Sequence, residues 1–281
     1  MAETQKPKLG LDLATIGGVV LALAGILGGL ILEGGKLRDI AQFTAGLIVL
    51  GGTCGAVLIS TPLATVLAAL VRLRGIFFEK SQPAGSLIEE IIQYAMKARK
   101  NGIVSLENEA AEIANPFLRK ALTLAIDGTD LEELRHMMEL QMDLERRRAN
   151  SEVKVYESGG GYAPTIGIIG AVLGLIQVMK NLANIDEVGH GIAVAFVATV
   201  YGVGLSNIFL LPAATKLKAR IAQEMEINEL ILQGVISIVE GLNPKLIRSK
   251  LEAFVAARPV RADNKTAQET PAAEPATQTQ T

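Results

Sequence analysis

Apolar residues run almost unbroken through four stretches of this chain, residues 13–32, 40–61, 163–182 and 192–211. A bilayer core needs about 20 apolar residues in a helix, so each stretch is long enough to cross one. None alternates as a strand would, and each exceeds what a soluble core helix needs. The polar positions group the four in pairs: "EGGKLRDIA" joins the first two and "ANIDEVGHG" the last two, so each pair reads as a hairpin with a short turn. Small residues recur at helical spacing within them: Gly18, Ala22, Gly25 and Gly29, then Gly51 and Gly55, then Gly167, Gly170 and Gly174, then Ala195, Thr199, Gly202 and Ser206. Such ridges let helix backbones approach closely where lipid offers no hydrophobic drive, either within the chain or against a partner helix.

Between and after the hairpins the pattern changes to amphipathic helix. "SLIEEIIQYAMKARKNG" places Leu87, Ile91, Ile92, Ala95 and Met96 on one face and stops at Asn101-Gly102. Ser105 is expected to cap a new helix carrying Glu107 and Glu109 in its first turn, where carboxylates suit the dipole. Asp127-Gly128 reads as a turn, and Thr129 to Glu132 as a capping box. It opens a helix long enough to continue as one rod into the third span, with Gly159–Gly161 as a flexible joint. After Pro212, Leu217, Ile221 and Met225 begin another amphipathic helix.

These elements predict an all-α membrane protein: four transmembrane helices in two hairpins, a helical cytoplasmic domain between them and a C-terminal cytoplasmic helix. The expected divisions are 1–72 for the first hairpin, 73–158 for the cytoplasmic domain, 159–213 for the second hairpin and 214–258 for the amphipathic helix. A tail at 259–281, rich in Ala, Thr, Pro and Gln, lacks the apolar residues to bury a core and is expected to be disordered.

Composition agrees with a membrane protein: 49% of residues are hydrophobic and Trp is absent. The net charge of -2 sums nearly equal sets and gives no reason to expect nucleic acid. Its distribution sets the topology: Lys6, Lys8, Arg72, Arg74, Lys80, Lys154, Lys216, Lys218 and Arg220 all flank the spans on one side. By the positive-inside rule that side, with both termini, is cytoplasmic. Lys36, Arg38 and Lys180 oppose it, but Glu33 and Asp39 match the first two and Lys180 can snorkel outward. Cys54 cannot form an intrachain disulfide and is expected to be a small core residue.

No phosphate loop, metal-ligand spacing or catalytic triad is present, so neither enzyme, cofactor nor metal is expected. His136 and His190 lie far apart in the topology. Proton pumps and transporters usually keep an ionisable group within a span at about 2.5–3.5 kcal/mol each. These four spans contain no Asp, Glu, Lys, Arg or His away from their ends. Either the chain moves no ions, or another polypeptide brings the titrating carboxylate.

"ARKNGIVSLE", "YAPTIGIIGAVLG" and "AFVATVYGVGLSNIFLLPAATKL" resemble the MotA/PomA family, the A subunits of the bacterial flagellar stator, and the likeness spans about residues 10–255. The resemblance implies a homopentamer around two B subunits of MotB/PomB type in the inner membrane, each B subunit bringing one span with an ion-binding aspartate. It implies that Arg99 and Glu107, otherwise ordinary helix-end charges, engage the rotor switch protein FliG. Pro164 and Pro212 match the family's two functional prolines, although either could simply break a helix at the membrane boundary. Thr199 matches a threonine on the ion path. Sodium-driven members carry a second threonine where this chain has Ala171, so the expected coupling ion is the proton. An ExbB/TolQ-type energiser, expected to have three spans, and a stand-alone transporter are the alternatives.

Overall fold

The computed structural model describes residues 9–80 and 84–256, so the tail at 259–281 lies outside the described residues. A short antiparallel ribbon, β1 (Leu9–Leu11) with β2 (Phe78–Lys80), pairs Leu9 with Lys80 and Leu11 with Phe78. The other elements are helices: α1 (Leu13–Leu32), a single turn α2 (Leu37–Ile40), α3 (Phe43–Ser60) and α4 (Leu63–Phe77). Next come α5 (Ala84–Asn101), a 3-10 turn at Ile103–Leu106, α6 (Glu107–Glu112) and α7 (Pro116–Ile126). Two long rods, α8 (Leu131–Lys180) and α9 (Ile185–Val239), precede α10 (Pro244–Ala256).

Four of these helices are long and apolar enough to cross a membrane, α1, α3, α8 and α9. The second span is shorter than its apolar run: Ile40 closes α2, and Thr61 is extended ahead of Pro62, which disfavours helix in the residue before it. α8 is the single rod expected, and both long helices are continuous where a joint or a break was expected. Gly159–Gly161 does not act as a joint; α8 passes through it and Pro164 as one 50-residue helix. Gly159 and Gly160 are buried there because Leu210 and Leu211 of α9 lie against them. Nor does Pro212 end a helix. A π-helical segment, Leu205–Leu210, precedes it, and this wider turn shifts the ladder just where proline withdraws an N–H.

The lower halves of both rods join α5, α7 and α10 in one core that includes Leu87, Ile91, Leu118, Leu122, Met138, Leu230, Ile231, Ile247 and Leu251. The segment after the fourth span is therefore part of the same lobe as the segment between the hairpins. On α5, Leu87, Ile91, Ile92 and Ala95 are buried as expected, but Met96 is 52% exposed and Ile88 takes the inner position. Gly102 and Gly128 carry the positive φ that ends α5 and α7, 83° and 77°. Two caps differ from expectation. Ser105 Oγ donates to the Gly102 carbonyl at 2.6 Å inside the 3-10 turn, and Asp130, not Thr129, caps α8 by accepting from Glu132 N at 3.1 Å.

The seam between the third and fourth spans

α8 and α9 meet along their small residues, and the contact is backbone on backbone. A Cβ placed on Gly202 would lie 2.4 Å from the Ala163 carbonyl oxygen, one on Gly174 2.7 Å from that of Gly191, and one on Gly167 2.9 Å from that of Ala198. Each glycine ridge of the second hairpin is thus spent on the other helix of the same chain. α3 lies across this seam, with Ala45 and Val49 packed beside Val197 and Ala198, and Gly52 against Ile166. Although a short turn connects α1 to α3, the buried face of α3 belongs to α8 and α9. Cys54 points away from that face and is exposed, so it is not a core residue.

Three hydroxyls of α9 along the seam are satisfied by backbone. Ser206 Oγ, buried to 1% exposure, donates to Gly160 O at 2.7 Å, and Tyr201 OH donates to Ile40 O at 2.5 Å. Thr199 Oγ1 donates to Ala195 O at 3.2 Å, which leaves its lone pairs free to accept. Pro164 and Ala171 stand two turns apart on one face of α8 and flank Gly167, whose added Cβ would come 3.4 Å from Thr199 Cα. The structure therefore brings Pro164, Ala171 and Thr199, all half-buried, to one stretch of the seam. Pro212 is exposed, 13 residues and so roughly 20 Å along α9 from Thr199; its neighbour Leu211 rests on Gly160, one turn before Pro164.

Arg99 and Glu107 lie elsewhere, in the lobe. Arg99 is in the last turn of α5 and Glu107 opens α6, with the Gly102 reversal between them. Both are exposed, and neither forms an ion pair among the described residues. The pair that does form across this turn is Lys97 with Glu109. One cation and one anion thus tie the turn together while another of each is presented outward.

Sequence reading missed a junction below the spans. Asp12, the residue that caps α1, accepts from Thr15 N at 3.1 Å and from Arg220 Nη2 at 2.9 Å, and pairs with Lys216. The Lys216 ammonium, with the Thr15 amide and Arg220, holds the Asp12 carboxyl well below the usual carboxylate range. Lys216 and Arg220 served only as topology markers in the sequence, yet an Asp directly ahead of an apolar run is itself a capping signal.

The signature of the MotA/TolQ/ExbB proton channel family matches residues 109–230, and that of the motility protein A N-terminal region matches 16–102. The second match is to motility protein A in particular. Motility protein A of Bacillus subtilis is 33% identical over 252 residues, 88% of this chain and 92% of the relative. A solved structure of C. jejuni MotAB matches with TM-score 0.83 at 32% identity, covering 92% of this chain and 100% of that one. The flagellar MotAB stator complex from Bacillus subtilis matches with TM-score 0.81 at 33% identity, over 87% and 96%. With four apolar helices in the expected order and both signatures in place, this chain belongs to the motility protein A family, the MotA/PomA subunits of the flagellar stator.

Proposed function

We propose that this chain assembles as a homopentamer around two B subunits of MotB/PomB type in the bacterial inner membrane, and that protons passing along the B-subunit carboxylates turn the ring. One observation carries the reading. The spans of a chain from an ion-motor family contain no Asp, Glu, Lys, Arg or His away from their ends, so the titrating group comes from a partner, and the solved relatives are complexes of an A with a B protein. One charge crossing 100 mV releases about 2.3 kcal/mol, which is the energy available per ion.

In this reading Thr199, Pro164 and Ala171 border the path and Pro212 lies on the rod that carries motion to the lobe. Arg99 and Glu107 steer FliG; exposed pairs are worth only about 0–1 kcal/mol, which suits repeated engagement and release. Basic flanks put the lobe and both ends of the chain on the cytoplasmic side. The proton is favoured over sodium because sodium needs several oxygens at once to replace its hydration shell, and the Ala171 methyl supplies none.

The test uses this chain and its native B partner as the only stator. Rotation of tethered cells should continue without sodium and stop with a protonophore; speed that follows sodium at a constant proton gradient overturns the proton reading. Reversing both charges, Arg99→Glu with Glu107→Arg, should abolish or strongly slow rotation with membrane insertion intact. The same reversal at Lys97 and Glu109 should be tolerated because the pair is regenerated, and equal tolerance at both pairs sinks the rotor assignment.

A further inference from the structure

α1 is held unlike the other spans. None of its residues is buried, and Gly17, Gly18, Gly25, Gly28 and Gly29 face open space. Its secure attachments are at its base. β1 pairs with β2, Asp12 N donates to Phe77 O at 3.0 Å, and the Asp12 side chain gathers Lys216 and Arg220 from α9. Lys216 also bonds Thr15 Oγ1, and Arg220 Nη2 reaches Ile76 O at 3.3 Å. Asp12 thus ties the start of α1 to the end of α4 through its backbone amide, and to two consecutive turns of α9 through its carboxylate.

The place on α9 matters. Lys216 and Arg220 lie four and eight residues past Pro212, itself just past the π-helical segment Leu205–Leu210. Sharp kinks in long helices are almost always found at a proline or a π turn, and α9 has both here. Any bend there displaces Lys216 and Arg220, and Asp12 must follow or release two cations. The Asp12, Lys216 and Arg220 side chains are only 14%, 27% and 21% exposed, so solvent screens the cluster less than a surface pair.

We propose that Asp12 is a positioning residue for torque generation, coupling the first span to the stem of the fourth so that the two move together when the stem bends. The inference rests on the stator reading above. Its test is the rise in rotation speed as single stator units join the motor, read beside membrane accumulation and co-purification with the B subunit, for the full chain with its native partner. Asp12→Asn should accumulate and co-purify as wild type but give a smaller speed rise per unit, while Asp12→Glu keeps the full rise. Asp12→Lys should lose rotation, and adding Lys216→Asp, which puts a carboxylate back between two cations, should regain part of it.

A full rise per unit in Asp12→Asn overturns the inference. So does an Asp12→Asn variant that lowers only accumulation or the number of engaged units, because that marks a purely structural role. A wild-type chain that fails to rotate overturns the stator reading and this inference with it. A rotating wild type with an indifferent Asp12→Asn overturns the inference alone.

Discussion

The first span and the second hairpin use the same small residues in opposite ways. In α8 and α9 the glycines are consumed inside the chain: Gly167, Gly174, Gly191 and Gly202 each bring one backbone against the other. In α1 the glycines meet nothing within 4 Å. A ridge of small residues therefore states that a backbone can come close without stating which one. The second hairpin is a finished piece of structure, whereas α1 is tied at its foot and otherwise turned outward.

A side chain placed on each ridge should have opposite consequences. Gly202→Val drives a Cβ toward the Ala163 carbonyl, where no flexible side chain can yield. Overpacking of this kind costs about 1–3 kcal/mol and more when backbone must move. The variant should accumulate poorly in membranes and lose motility. A Cβ added at Gly28 has no atom of its own chain within 4 Å, so Gly28→Ala should accumulate as wild type, and any defect should appear only in the native mass of the assembly. Equal accumulation of the two variants would erase the distinction between a packed and an outward ridge.

A smaller effect tests whether the seam is as well satisfied as it is well packed. Ser206→Ala removes the donor to the Gly160 carbonyl in a site excluded from solvent. The expected loss is about 0.5–1.5 kcal/mol, seen as a lower thermal midpoint of the purified complex in detergent. An unchanged midpoint means that the Gly160 carbonyl has another donor.

Element type was legible in the sequence wherever periodicity alone decides it. The four spans, the amphipathic face of α5 and the stops at Gly102 and Gly128 depend on neighbours within a turn or two. What was not legible depends on residues far along the chain. Gly159–Gly161 reads as a joint by local propensity, and becomes rod because Leu210 and Leu211 fill the space its missing side chains leave. Pro212 reads as a stop, and is carried through by a π turn that no local pattern announces. Of the candidate site, Pro164, Ala171 and Thr199 converge because one helical face and one glycine seam bring them there. The Asp12 junction closes between residues 208 positions apart, and no spacing rule reaches that far.

The finest test asks what an unpartnered hydroxyl is doing beside the same seam. Thr53 is 4% exposed, and its Oγ1 has no hydrogen-bond partner among the described residues. Threonine in a helix usually falls back on the carbonyl four residues earlier. For Thr53 that is Val49, which sits inside the π-helical segment Leu47–Gly51, where the ladder is shifted. A buried hydroxyl left this way costs about 1–3 kcal/mol, whereas replacing it by an apolar group of the same shape is close to neutral or favourable. Valine keeps the methyl that lies 4.0 Å from the Cβ position of Gly159. Thr53→Val should therefore match wild type or exceed it by up to about 1 kcal/mol in the same thermal measurement, opposite in sign to Ser206→Ala. Thr53→Ala should lose stability, because it also empties the methyl's place. If Thr53→Val loses as much as Ser206→Ala, the hydroxyl has a partner from another chain of the assembly, and α3 joins α1 among the spans completed from outside.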